Sequence, residues 1–376
     1  MNIDIIGAGI GGLTTALALE AKGFKPTIYE QTKEIKEVGA GIILASNAMK
    51  VFQHLKIDDQ LKKEGVSLEH LNITNGNLKL LSGIDLRYFE KKYNLQTTVI
   101  HRGKLQSILL KNLKHTKIHL NHKLKTATKN ASGYLLEFEN GEKIKSSLVI
   151  GADGIYSKLR NSIASNIITR KTNQVCWRGV INMDLPDKYK NQLNEAWGNK
   201  ARFAFVKCNK NQVYWYALKS FKNDESEFSI SKLSSYFKKY PELVTQIIKT
   251  TPINNIHTSI ITDLKPIKKW YNEFGCLIGD AAHAATPNMG QGACQAIEDA
   301  YVISESIYKH KNANAFKEYQ KLRISNAHKV VHQSWMIGKI AHWKNPFAIF
   351  CRNQLLKIIP SVFSRYQQEK LFQLNK

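Results

Sequence analysis

At 376 residues the chain exceeds the roughly 250 to 300 at which one hydrophobic core stops growing, so two closely packed domains are expected. Its hydrophobic fraction of 43% is that of a globular protein, no window approaches the ~18 uncharged apolar residues of a membrane span, and the five scattered cysteines suggest neither a disulfide framework nor a zinc site. The formal charge of +25 does not point to nucleic acid: lysines run through the whole chain beside many Asn and Ile, and no nucleic-acid-binding motif accompanies them.

Asn2–Ile6 is expected as a short strand, followed by Gly7-Ala-Gly9-Ile-Gly-Gly12, a helical pattern from Leu13 to Lys22, a turn at Gly23-Phe-Lys-Pro26 and a second strand, Thr27–Glu30. Here the glycines have separate tasks. Gly7 makes the tight turn, Gly9 lets backbone approach a pyrophosphate, and Gly12 lets the helix pack on the strand. Glu30, at the end of the second strand, is placed to accept hydrogen bonds from ribose hydroxyls, so the opening segment predicts a dinucleotide site. A strand this close to the first residue leaves no room for a signal peptide, and a cytoplasmic protein is expected.

Glu37 to Met49 is a Gly-rich loop leading into a helix through about Leu55, with Ser46 or Asn47 as its cap. Alternation over residues 66 to 90 predicts strands of a second sheet. Val99-Ile-His101-Arg102 then opens a helix whose start puts Arg102 within reach of a phosphate. Lys117–Leu120, Gly133–Phe138 and Ile144–Ile150 predict further strands, the last two joined by the turn Glu139-Asn-Gly141. After them comes Gly151-Ala-Asp153-Gly154, a carboxylate between glycines, with Arg160 expected in the second turn of the next helix; this points into a ligand crevice.

From about 172 to 262 long alternating runs rich in Trp, Tyr and Phe describe an antiparallel sheet, of which one face, and so half the aromatics, must be core. The chain re-enters the first domain at Thr262-Asp263-Leu-Lys-Pro266. Gly275-Cys-Leu-Ile-Gly279-Asp280 is then a strand that delivers Asp280 at its carboxyl end. Pro287, Gly290 and Gly292 bring backbone close to a flat ligand just before an Ala-rich helix, whose unpaired N-terminal amides stabilise an anion.

In this order and spacing, Gly7-x-Gly9-x-x-Gly12 with Glu30, Arg102, Asp153-Gly154, and Gly279-Asp280 through Gly292 resemble the single-component FAD-dependent monooxygenases that share the fold of para-hydroxybenzoate hydroxylase. The resemblance implies an α/β architecture: a discontinuous Rossmann-like FAD-binding domain (1–70, 97–170 and 263–330), an antiparallel-sheet substrate domain (71–96 and 171–262) and C-terminal helices (331–376). Glu30 would hold the adenosine ribose, Arg102 and Asp280 the pyrophosphate and ribityl region, and Gly290, Gln291, Gly292 and Ala293 the isoalloxazine edge, while Asp153 would support both flavin and nicotinamide. Within the family the substrate sheet is similar to that of flavin-dependent urate hydroxylases, which implies substrate-facing roles for Arg202 and Tyr214.

The implied activity is hydroxylation or epoxidation of a small aromatic or heteroaromatic substrate with O2, through a flavin C4a-hydroperoxide, on non-covalent FAD. With a single nucleotide fingerprint, NADPH or NADH would visit only transiently, and no metal is required. An FAD-dependent reductase or desaturase on the same fold, and a basic flavoprotein on anionic membrane, are the competing readings. Residues 335–343 and 347–359 show helical apolar spacing interleaved with Lys and Arg; the expectation is that they dock on the FAD domain, with membrane contact as the alternative, in a monomer or homodimer.

Overall fold

The computed structural model describes residues 2–37, 39–221, 228–310, 313–359 and 369. A parallel sheet holds the strands Gly275–Leu277, Leu148–Gly151, Ile3–Ile6, Thr27–Tyr29 and Lys117–His119 in that spatial order. Its central strands, Ile3–Ile6 and Leu148–Gly151, are buried along their whole length, which is why they do not alternate apolar with polar and carry one charged residue, Asp4, between them. Register does the functional work: Ile6 pairs with Gly151 and Gly151 with Leu277, so the loops after three strands leave the sheet side by side. The helix after the first strand, Ile10–Glu20, begins directly at Gly9 and takes Gly11 and Gly12 into its first turn, earlier than the Leu13 start expected from apolar spacing.

A second sheet of seven strands covers the crevice: Ile256–Leu264, Thr169–Asn182, Gln212–Ser220, Ala201–Lys207, Gln192–Trp197, His70–Asn75 and Leu80–Asp85. All its pairs are antiparallel except Gln192–Trp197 with His70–Asn75. On its outer face Trp177, Phe203, Phe205 and Trp215 form a separate core with Phe237 and Ile247, and Phe203 stacks on Trp215 at 5.7 Å. Each such side chain stabilises the fold by ~1.5–3 kcal/mol relative to exposure. The inner face looks back at the parallel sheet.

Several local expectations are corrected. Ala45, not Ser46 or Asn47, caps the helix Ser46–His54, and no side chain bonds its first turn. Residues 66 to 90 are not all strand, because Arg87–Tyr93 is helical. Ile144–Ile150 is broken at Ser147: Lys143–Ser146 pairs antiparallel with Gly133–Phe138, and Leu148–Gly151 joins the parallel sheet. The stretch 172–262 also carries two helices, Ile230–Tyr236 and Glu242–Thr250. Near the end of the chain, Ala313–Ala341 is one helix that runs unbroken across position 330, and Pro346–Ile358 is the last described helix. All five cysteines are free, and four of them are buried.

Candidate active site

The three loops and the second sheet enclose one continuous cavity of about 1590 Å³, beyond the roughly 300–1,000 Å³ of an ordinary small-ligand pocket. At its nucleotide end the turn after the first strand is clamped from both sides. Ala8 N donates to Glu30 Oε2 at 2.7 Å, and Gln106 Nε2 donates to Ala8 O at 2.8 Å. Gly12 has no room for a side chain, since a Cβ there would fall 2.0 Å from Gly7 O. Gly9, Gly154, Gly290 and Gly292 are the opposite: an added Cβ would meet no protein atom within 4 Å. Gly290, Gln291, Gly292 and Ala293 line the same cavity where the helix Gly292–His310 begins.

The charged groups there are arranged unevenly. Arg102 starts the helix Arg102–Asn112 and lines the cavity opposite Asp280. Burial raises the Asp280 pKa, with His283 and Arg102 opposing, although its carboxylate is exposed to the cavity itself. Asp153 Oδ2 accepts from Lys158 N at 2.8 Å and Leu159 N at 3.3 Å, while its Oδ1 is buried without a partner in the protein. Arg160 is not a crevice residue of a second turn. It starts the short helix Arg160–Ile163 and donates to the carbonyls of Ala281 and Ile155.

At the other end, alternation on the large sheet decides which side chains face the cavity: Cys176 and Arg178 on one strand, Tyr214, Tyr216 and Leu218 on its neighbour, then Arg202, then Leu193, Glu195 and Trp197. Arg202 and Tyr214 are therefore in one cavity with the nucleotide loops. Their surroundings differ. Arg202 is 1% exposed and fully engaged, donating to Glu195 Oε1 at 2.7 Å, to His342 Nε2 at 3.1 Å and to Asn288 Oδ1. Tyr214 lies flat against Gly41, where a Cβ would come within 2.6 Å of its ring, and burial holds its phenol protonated far above the usual range. Arg178 has only the Cys176 Sγ, 3.3 Å from its Nε, and among the described residues no carboxylate. Trp197 Nε1 is buried without a partner.

His342 gives this end a pH signature. Burial, then Arg202, lowers its pKa well below 6.5, and its Nδ1 sits 2.8 Å from Ser220 Oγ. The unfolded chain takes up a proton near 6.5 that the folded chain refuses, so this contribution is complete above that pH and lost as pH falls below it. His342→Gln keeps an acceptor for Arg202 and removes the titration. Melting curves between about pH 7 and 5 should show wild type losing more Tm than the variant; parallel losses would contradict this.

Compared with known sequences, the chain matches the family described as FAD binding domain over residues 1–334. It belongs to that family. The aurachin C monooxygenase/isomerase of Stigmatella aurantiaca is 30% identical over 364 residues, covering 96% of this chain and 95% of that protein. The 2-heptyl-3-hydroxy-4(1H)-quinolone synthase of Pseudomonas aeruginosa is 27% identical over 379 residues, covering 99% and 98%. Among solved structures, Klebsiella pneumoniae HpxO complexed with FAD and uric acid shares the fold, with a TM-score of 0.89 at 23% identity, covering 99% of this chain and 96% of that one. The protein is an FAD-dependent oxidoreductase of the monooxygenase class.

The residues present fit FAD. Open space over Gly9 and the first turn of Ile10–Glu20 suits a pyrophosphate, and Glu30, although bonded to Ala8 N and to Thr32 N at 2.9 Å, keeps lone pairs for ribose hydroxyls. Asp153 and the side-chain-free surface at Gly290 and Gly292 line the same space. Behind the flavin loop a buried network was not anticipated from sequence. Arg323 donates to Glu298, to Asp299 Oδ1 at 2.8 Å and to Gln295 Oε1 at 2.7 Å, and Asp299 Oδ2 in turn holds His283 at 2.5 Å and Gly279 N at 2.9 Å. Burial alone would raise the Asp299 pKa, but His283 and Arg323 hold it below the usual carboxylate range. Gln106, Arg178, Glu195, Arg323 and His342 are among the site residues that the sequence left without a role. Only Arg178, polar within an alternating apolar strand, carried a signal that could have been used.

Proposed function

We propose that the protein hydroxylates a heteroaromatic ring bearing an oxo or phenolic oxygen and an apolar tail, with Arg178 holding the oxygen. The carrying observation is the contrast between two arginines on one sheet face: Arg202 is matched by Glu195, whereas Arg178 faces the cavity with its charge uncompensated. An anionic or strongly polarised oxygen satisfies it. The protonated Tyr214 phenol, on the neighbouring strand, adds a donor to the same cavity face.

Beyond this polar cluster the lining is aliphatic: Leu71, Ile73 and Ile84 from the sheet edge, and Met336, Ile340, Leu356 and Ile359 from the last two helices. A polar head and an apolar tail suit this division, and the quinolone synthase among the relatives carries a heptyl chain in the name of its product. Bound FAD, reduced by NAD(P)H, supplies the activation of O2, one atom of which joins the ring while the other leaves as water. The chain's own part is to orient the ring, keep Tyr214 protonated, and exclude water with the aliphatic wall. Arg202 acts as a positioning residue, tying the sheet to Asn288 of the flavin loop and to His342.

Arg178→Ala should raise KM for such a substrate roughly 10- to 100-fold, the value of one lost charged hydrogen bond, with FAD content and Tm unchanged and partial recovery in Arg178→Lys. Unaltered kinetics in Arg178→Ala, or a KM effect confined to Arg202→Ala, would contradict the assignment.

A further inference from the structure

The last helix, Pro346–Ile358, has its polarity inverted. Its cation points in. Arg352 is 3% exposed, donates to the carbonyls of Ala341 at 3.1 Å and Ile340 at 3.3 Å at the end of the long helix, and stacks its guanidinium over Trp197 at 5.3 Å. Four of its apolar side chains point out. Phe347 (75% exposed), Phe350 (57%), Leu355 (61%) and Ile358 (73%) recur at helical spacing and form one stripe in water. The docking expected for this segment is thus met by Ala313–Ala341, which buries one face, whereas the final helix packs its inward side on Leu80–Asp85 of the large sheet and leaves the stripe uncovered.

We infer that this stripe is a docking face for an anionic phospholipid surface. Three observations select lipid as the occupant. First, Lys344 just before the helix and Lys357 on it are exposed, as is Lys339 near the end of the long helix, and none has a carboxylate partner among the described residues. Second, no Asp or Glu occurs in the sequence between Glu318 and Glu369, so nothing offsets them locally. Third, Leu356 on this helix and Ile359 just after it also line the substrate cavity, so its outward side meets the acyl layer while its inward side walls the proposed tail site. That last point rests on the proposed substrate class; the first two do not. Among the described residues no helix is long and apolar enough to span a membrane, so the contact is interfacial, with the helix in the plane of the headgroups.

The test uses flavin-loaded full-length protein without substrate or NAD(P)H, so its outcome is separate from the hydroxylation reading. Vesicles of phosphatidylglycerol and phosphatidylcholine in equal parts should sediment the protein, and vesicles of phosphatidylcholine alone should do so much less. Phe347→Ser with Phe350→Ser, and separately Lys344→Glu with Lys357→Glu, should each lower the partition coefficient roughly tenfold or more while absorbance of bound FAD and Tm stay at wild type. Failure of wild type to bind the anionic vesicles, equal binding to both vesicle types, or no loss in either variant overturns the inference. So does a lipid-free dimer that the phenylalanine variant abolishes, which would give the face to a second copy of the chain.

Discussion

A Gly9→Leu variant will fold and purify colourless. Gly9 has φ −69° and ψ 178°, a conformation open to any residue, and a side chain there meets no protein atom within 4 Å. What it occupies is the space over the first helical turn that the cofactor needs, so the loss falls on binding rather than on folding. Gly12→Ala acts through the other route. Its methyl would lie 2.0 Å from the Gly7 carbonyl, and the helix would have to leave the strand. The expected pair of results is an apo protein with the Tm of stripped wild type for Gly9→Leu, and a poorly soluble protein for Gly12→Ala. Stoichiometric FAD in Gly9→Leu would show that the pyrophosphate lies elsewhere.

Arg323→Ala will be the most destabilising single truncation near the site. Arg323, Glu298 and Asp299 are all completely buried, and removing the cation leaves two carboxylates against each other in the interior. Breaking a buried pair in this way costs about 3–5 kcal/mol, out of the roughly 5–15 that hold a domain together. A fall in Tm of about 5–10 °C and loss of flavin on dialysis are expected, because Asp299 also fixes Gly279 N and His283 beneath Asp280. Arg323→Lys should recover only part of this, since one ammonium cannot engage both acids and Gln295 in the fork geometry used here. A wild-type melting curve for Arg323→Ala would contradict the role given to the network.

What was legible in the sequence was local. Gly7, Gly9, Gly12 and Glu30 announced their turn because turn chemistry is written within a few residues, and the same is true of Asp280 through Gly292. Alternation showed that half the aromatics between 172 and 262 are core but could not say which half, since a two-residue period is silent about which face is covered. The difference between Arg178 and Arg202 depends on Glu195 and His342, and His342 comes from the turn after a helix, 140 residues away. The strand Leu124–Asn130 was missed because it is a lysine-bearing edge with almost no buried side chain. Likewise, the apolar spacing of Pro346–Ile358 is the same whether its stripe points in or out; only the position of Arg352 beneath it shows the inversion.

The most direct test of the account is oxygen uptake and NAD(P)H consumption by the flavin-loaded enzyme on 4-quinolones whose 2-alkyl chain is lengthened stepwise, with products identified by mass. The account predicts coupled turnover giving a product heavier by one oxygen atom, with kcat/KM rising as the tail lengthens. Turnover that is independent of the tail, or confined to tailless rings such as urate and 3-hydroxybenzoate, would contradict it.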